Sequence, residues 1–140
     1  MCLVVYLASA DPLPTTKWMG GMGVALTDLA PEADPVRAQF TLPNVYGVAS
    51  SEGCGCGFLT HYKSGTELEE SLAERRALSA LLSSFPGGSK QFQLLIAYDG
   101  YETKPIDTCY KMEIEKLETC DFNKGWDYHV ILVELEGGGQ

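Results

Sequence analysis

The chain is short of positive charge and of histidine: ten lysines and arginines stand against nineteen aspartates and glutamates, for a formal charge of −9, with only two histidines. Polyanions hold proteins through lysine and arginine that displace counterions, so nucleic acid is not an expected partner and an anionic membrane surface is disfavoured. Long apolar runs are missing too. The N-terminal MCLVVYLASADPLP meets Asp11 and Pro12 too early for a bilayer span, and it lacks the basic leading region of a signal peptide. Neither the Walker-type Gly-Lys-Ser/Thr nor Gly-x-Gly-x-x-Gly occurs. The expectation is a cytoplasmic protein with no membrane partner. Cysteine is scarce and odd in number, at five. With no export signal, thiols or metal ligands are expected rather than a disulfide framework.

What is present suits one folded domain. At 140 residues with 45% hydrophobic and 21% charged side chains, the chain can bury a core without a staple, so disorder is not expected. Residues 1–136 read as a single domain and 137–140, three glycines and a glutamine, as a flexible tail with nothing to bury. Residues 2–8 form an apolar run with β-branched Val4 and Val5, the pattern of a strand covered on both faces. Residues 24–29 suit a second, weaker strand. In 33–42, Asp34 followed by Pro35 signals a short helix start, against a competing alternation of Val36, Ala38, Phe40 and Leu42. A strand over 44–50 then leads into a loop.

The clearest helix is expected over 66–85. Thr66 and Glu69 match a capping box, Leu68, Leu72, Leu78, Leu82 and Phe85 supply an apolar stripe, and Pro86-Gly87-Gly88 ends it. Residues 91–98, QFQLLIAY, read as a central strand; 109–113 as a strand with a helical turn through Leu117; and 128–135, YHVILVEL, as the last strand. Strands interrupted by one long helix imply an α+β fold: a mixed or antiparallel sheet of about five strands with the helix packed on one face.

The stretch chosen for chemistry is SEGCGCGF, residues 51–58. In extended backbone, residues i and i+2 project to one side, so Cys54 and Cys56 can present both sulfurs to one object. Gly53, Gly55 and Gly57 allow unusual dihedrals or close backbone approach. Zinc takes about four ligands, so Cys-x-Cys is half a site. The metal-binding set suggested is Cys54, Cys56 and His61, for zinc or another thiophilic metal, with Cys2, Cys109, Cys120 and His129 as further candidates. A reactive thiol needs less: His61, Lys63 and the start of the long helix all lie near in sequence and favour a thiolate if near in space. The bland alternative is a glycine bulge whose small cysteines fill space. Phosphate binding is not expected, because about eight residues separate Gly57 from the helix start, whereas phosphate loops run straight into a helix. Trp18 and Trp126, each near glycines and polar residues, suit a pocket wall or a cap on the core.

MCLVVYLAS at the start, NVYGVAS running into GCGCGF, and ERR in the following helix together resemble a family of small uncharacterised bacterial proteins. The resemblance implies a bacterial, cytoplasmic, single-domain protein whose loop, with Cys54, Cys56 and Phe58, is a hallmark; it implies no catalytic residue. The function expected from the sequence is that of a small interaction or structural domain featuring this loop, with a protein partner or a second copy of the chain as candidates. A thiol-reactive or metal-binding module is the alternative. A further one is a small hydrolase using an N-terminal Cys2, as in amidohydrolases whose first residue supplies both amine and nucleophile.

Overall fold

Strand β1 (Leu3–Ser9) is the apolar run at the start of the chain, and it lies inside a six-stranded mixed sheet with β2 (Ala25–Asp28), β3 (Asn44–Ala49), β4 (Gln91–Tyr98), β5 (Thr108–Glu113) and β6 (Ile131–Glu136). The computed structural model describes residues 3–17, 23–51, 53, 55–60, 63–85, 91–119 and 130–137. The spatial order is β2-β3-β1-β4-β6-β5. Every pairing is antiparallel except β5 with β6. The sheet holds one strand more than the expected five. The short β2 is a true edge strand, registered on β3 from Ala25↔Ala49 to Asp28↔Tyr46 and reached on its other side by the Thr16 N–H, which donates to the Leu26 carbonyl at 2.8 Å.

Helix α1 (Gly65–Ser84) crosses from β3 to β4, two strands that run parallel with β1 between them. It covers one face of the sheet. There Leu3, Val5, Leu7, Phe92, Leu94 and Ile96 pack with Leu78, Leu82, Phe58 and the short 3₁₀ segment Ile114–Glu118, whose Ile114 and Leu117 are buried. On the opposite face Ala8, Val45, Leu95, Ala97 and Leu132 meet Val36 from a second 3₁₀ segment, Pro31–Gln39. β4 is therefore buried along all but its first residue, which is why its sequence reads as a continuous apolar run rather than an alternation. Among the described residues no helix is long and apolar enough to cross a membrane.

Two local expectations need correction. The segment around Asp34 is helical, but it is a 3₁₀ helix that begins at Pro31; Asp34 lies inside it and accepts a hydrogen bond from Arg37 Nε at 2.7 Å instead of capping it. Proline serves as the start in both cases, and the earlier of the two prolines wins. The long helix likewise begins before the Thr66–Glu69 capping box. Ser64 occupies the cap position without a side-chain cap bond, and Gly65 follows at φ +58°, a left-handed conformation that glycine adopts without strain. Part of the last expected strand, 128–129, lies outside the described residues, as do Trp18, Trp126 and tail residues 138–140.

Candidate functional site

Of the loop after β3, the described segment Gly55–Phe58 wedges between β1 and α1, while Ser51 and Gly53 are exposed. Ser50 accepts the Gly53 N–H at 2.9 Å, closing a turn in which Gly53 has φ +87°. A 3₁₀ turn, Gly55–Phe58, follows, with the Leu59 N–H donating to the Cys56 carbonyl at 3.1 Å. The β1/β3 ladder stops at Tyr6↔Gly47, so the first residues of β1 have no strand partner on that side. The loop takes that place. The Leu3 N–H donates to Cys56 Sγ at 3.3 Å, and Gly55 lies so close that a Cβ there would sit 2.9 Å from the Leu3 carbonyl oxygen and 2.7 Å from a Val5 methyl.

Arg75 fastens the loop from the helix side. It is only 2% exposed, yet it belongs to the helix stripe facing the loop, and its Nε donates to the Phe58 carbonyl at 2.8 Å while one terminal nitrogen donates to Thr60 Oγ1 at 3.2 Å. A 3₁₀ turn leaves carbonyls without helical partners, and a buried guanidinium with several planar donors answers that need. One turn nearer the helix start, Ser71 is equally buried, and its Oγ lies 2.7 Å from Lys63 Nζ. Lys63 also donates to the Cys56 carbonyl, at 3.2 Å. Glu74 completes the seam by accepting the Ser51 N–H at 2.9 Å and its hydroxyl at 2.6 Å.

These contacts frame a cavity of about 340 Å³ walled by Cys56, Lys63, Ser71 and three carboxylates, Glu67, Glu70 and Glu74. Ligand pockets generally run from about 300 Å³ upward, so the size suits a compact molecule. The wall carries more negative than positive charge. Hydroxyl, thiol, amine and carboxylate chemistry thus converge where the glycine loop meets the first turns of α1.

Of the residues singled out from the sequence, Cys56 is in this wall, half-buried and a thiol rather than half of a disulfide. Lys63, near the loop in sequence, donates to the Cys56 carbonyl. Cys54 and His61, the other members of the suggested metal set, lie outside the described residues, as do Cys2, Cys120 and His129. Among the described residues no group of three or more His, Cys, Asp or Glu side chains converges as a metal site. Cys109 is remote from the loop in the sheet order: it sits exposed on the edge strand β5, and partial desolvation of its sulfur and then the neighbouring Glu134 carboxylate push its pKa up. Sequence reasoning did not single out Ser71, Arg75 or the glutamate row. A signal existed in the helix pattern, because positions 71 and 75 continue the buried series 78 and 82 by helical spacing, yet carry polar side chains.

Compared with protein-family models, curated proteins and solved structures, the chain matches none.

Proposed function

We propose that the chain is a small binding domain whose glycine and cysteine loop, clamped onto α1, builds a pocket for a compact organic cation such as an alkylammonium. The observation that carries this reading is the cavity itself, with Glu67, Glu70 and Glu74 against the single ammonium of Lys63. A monovalent or divalent amine brings the charge that such a wall lacks. Cys56 and Cys109 are both thiols, which is compatible with a reducing compartment.

The test is thermal unfolding of the full chain in a series of tetramethylammonium, butylammonium and 1,4-diaminobutane, with succinate and sodium chloride as charge and ionic-strength controls. A ligand that binds the native state raises the unfolding temperature by mass action. The expected result is a rise with amines alone that disappears when Glu67 and Glu70 are replaced by glutamine. Equal responses from the native chain and the double glutamine variant would place the effect elsewhere and end the proposal.

A second reading is favoured by the position of Cys56 at the pocket wall: a thiophilic metal such as zinc held by Cys54, Cys56 and His61. Metal analysis of protein purified without chelators decides it. One equivalent of zinc, lost in a Cys56→Ser variant, supports the metal; a metal-free thiol protein leaves the amine reading alone.

A further inference from the structure

Position 71 of α1 faces the loop and is 2% exposed, a place where alanine would satisfy helix and packing alike. It carries a hydroxyl instead. That hydroxyl accepts from Lys63 Nζ at 2.7 Å, and among the described residues its own proton has no acceptor, so a buried donor is left over at the cavity wall. Lys63 has one left as well. An ammonium carries three N–H groups, and among the described residues two are taken, at Ser71 Oγ and at the Cys56 carbonyl. Although three carboxylates share its cavity, Lys63 forms no ion pair among the described residues, and neither do Glu67 and Glu70. Charges of both signs line one cavity without neutralising each other. Water serves the exposed glutamates, but the buried Ser71 proton calls for an acceptor that enters the cavity. Glu74 is already held by Ser51, which leaves Glu67 and Glu70 as the negative pole. Ser71 and Glu67 are four residues apart on α1, with Cβ atoms about 5–6 Å apart, so the two poles are separated by about one helical turn.

We propose that the cavity receives a short amino acid as its zwitterion, the carboxylate seated on the Ser71 hydroxyl and the third N–H of Lys63, the ammonium on Glu67 and Glu70. The inference rests on the reading of the pocket as a cation site and adds an anion seat to it. A carboxylate accepts from an ammonium and a hydroxyl through charge-assisted bonds, which are about twice as strong as neutral ones. A plain alkylammonium leaves both donors unanswered. The spacing of the poles also selects among amino acids: a ligand whose charges are separated by several bonds spans one helical turn, whereas the charges of glycine sit on adjacent carbons and do not reach both seats. Lys63 stays an ammonium throughout, and no bond is made or broken.

The experiment is titration calorimetry of the full chain with 4-aminobutyrate, butylammonium, butyrate and glycine at one ionic strength. The first three share a four-carbon chain and differ in which charged ends they carry. The expected result is that 4-aminobutyrate binds about tenfold or more tightly than butylammonium, the worth of a hydrogen bond to a charged group, with butyrate and glycine weaker than both. This comparison is made on the native chain and does not depend on any variant folding. Lys63→Met should weaken 4-aminobutyrate about tenfold or more while tightening butylammonium, because it removes both a carboxylate donor and a charge that repels the amine. Replacing Glu67 and Glu70 by glutamine should weaken both ligands. Butylammonium binding as tightly as 4-aminobutyrate, or Lys63→Met weakening the two alike as a merely structural lysine would, overturns the proposal. If butylammonium still binds in that event, the cation reading stands and only the anion seat falls; if no amine and no amino acid binds, both fall.

Discussion

Gly57→Ala is the smallest change that attacks the seam between loop and helix. A Cβ at position 57 would lie 2.3 Å from Ser50 Oγ, 2.6 Å from Ser50 Cβ and 2.7 Å from Glu74 Oε2. Glu74 can swing away, but then both of its hydrogen bonds to Ser51 are lost. Ser50 cannot: it is 0% exposed, so the loop itself has to move by most of an ångström. Overpacking of this kind costs about 1–3 kcal/mol. The broken bonds add about 0.5–1 kcal/mol, since water replaces part of them at an exposed serine. Reduced freedom of the unfolded chain returns about 0.4–1 kcal/mol. The net destabilisation is about 2 kcal/mol, read in urea unfolding as a lower midpoint at unchanged slope. Gly23→Ala is the control, because nothing lies within 4 Å of a Cβ there, and it should fall within about 0.5 kcal/mol of the native chain. Adding Ser50→Gly to Gly57→Ala removes the obstructing atoms, so the pair should couple favourably by about 1 kcal/mol or more. A Gly57→Ala protein as stable as the Gly23→Ala control would show that loop and helix do not meet at this spacing.

Arg75→Met keeps the apolar stem but strips the Phe58 carbonyl of its donor, so urea unfolding should show a loss of about 1–3 kcal/mol; an unchanged midpoint would mean the buried guanidinium does not hold the loop. Cys109 has its pKa raised first by burial and then by Glu134, so Glu134→Gln should speed its alkylation by iodoacetamide at neutral pH, measured by peptide mass; equal rates would remove Glu134 as a cause. Tyr6 is pushed above the ordinary 10.0, first by burial and then by Glu102, Asp99 and Glu32. A raised folded pKa means stability that is intact below the ordinary value and declines as pH climbs through the raised one. Tyr6→Phe should therefore flatten the alkaline limb of the stability profile, and a limb of unchanged steepness would contradict it.

The sheet was legible because its strongest signals are two-faced burial and periodicity. QFQLLIAY could be placed at the centre from its own residues, and β4 lies between β1 and β6 with both neighbours antiparallel to it. Element starts were less legible. Both helical segments begin earlier than the cap signals suggest, since Pro31 and Gly65 satisfy the backbone before Asp34 and Thr66 are reached. A capping motif states only that a start is possible; which start is used depends on what the preceding residues permit.

The site was half legible for a reason that lies in the backbone. Three alternating glycines announce a close approach but not the surface approached, and the apolar stripe of the helix pointed to Leu68 and Leu72 as its first buried turns. Those two are only half-buried, and the buried positions there are Ser71 and Arg75. The first turns of α1 lie over the loop rather than over the sheet, and a loop wound as a 3₁₀ turn presents carbonyls, not hydrocarbon. A leucine at position 75 would pack against the Phe58 carbonyl and leave it unsatisfied, whereas arginine donates to it. The glycines and the polar helix turn therefore depend on each other. Without a Cβ at 57 the loop can reach the helix; without the donors of Arg75 and Lys63 its Phe58 and Cys56 carbonyls would lose the partners that let thiol, hydroxyl and carboxylates share one cavity.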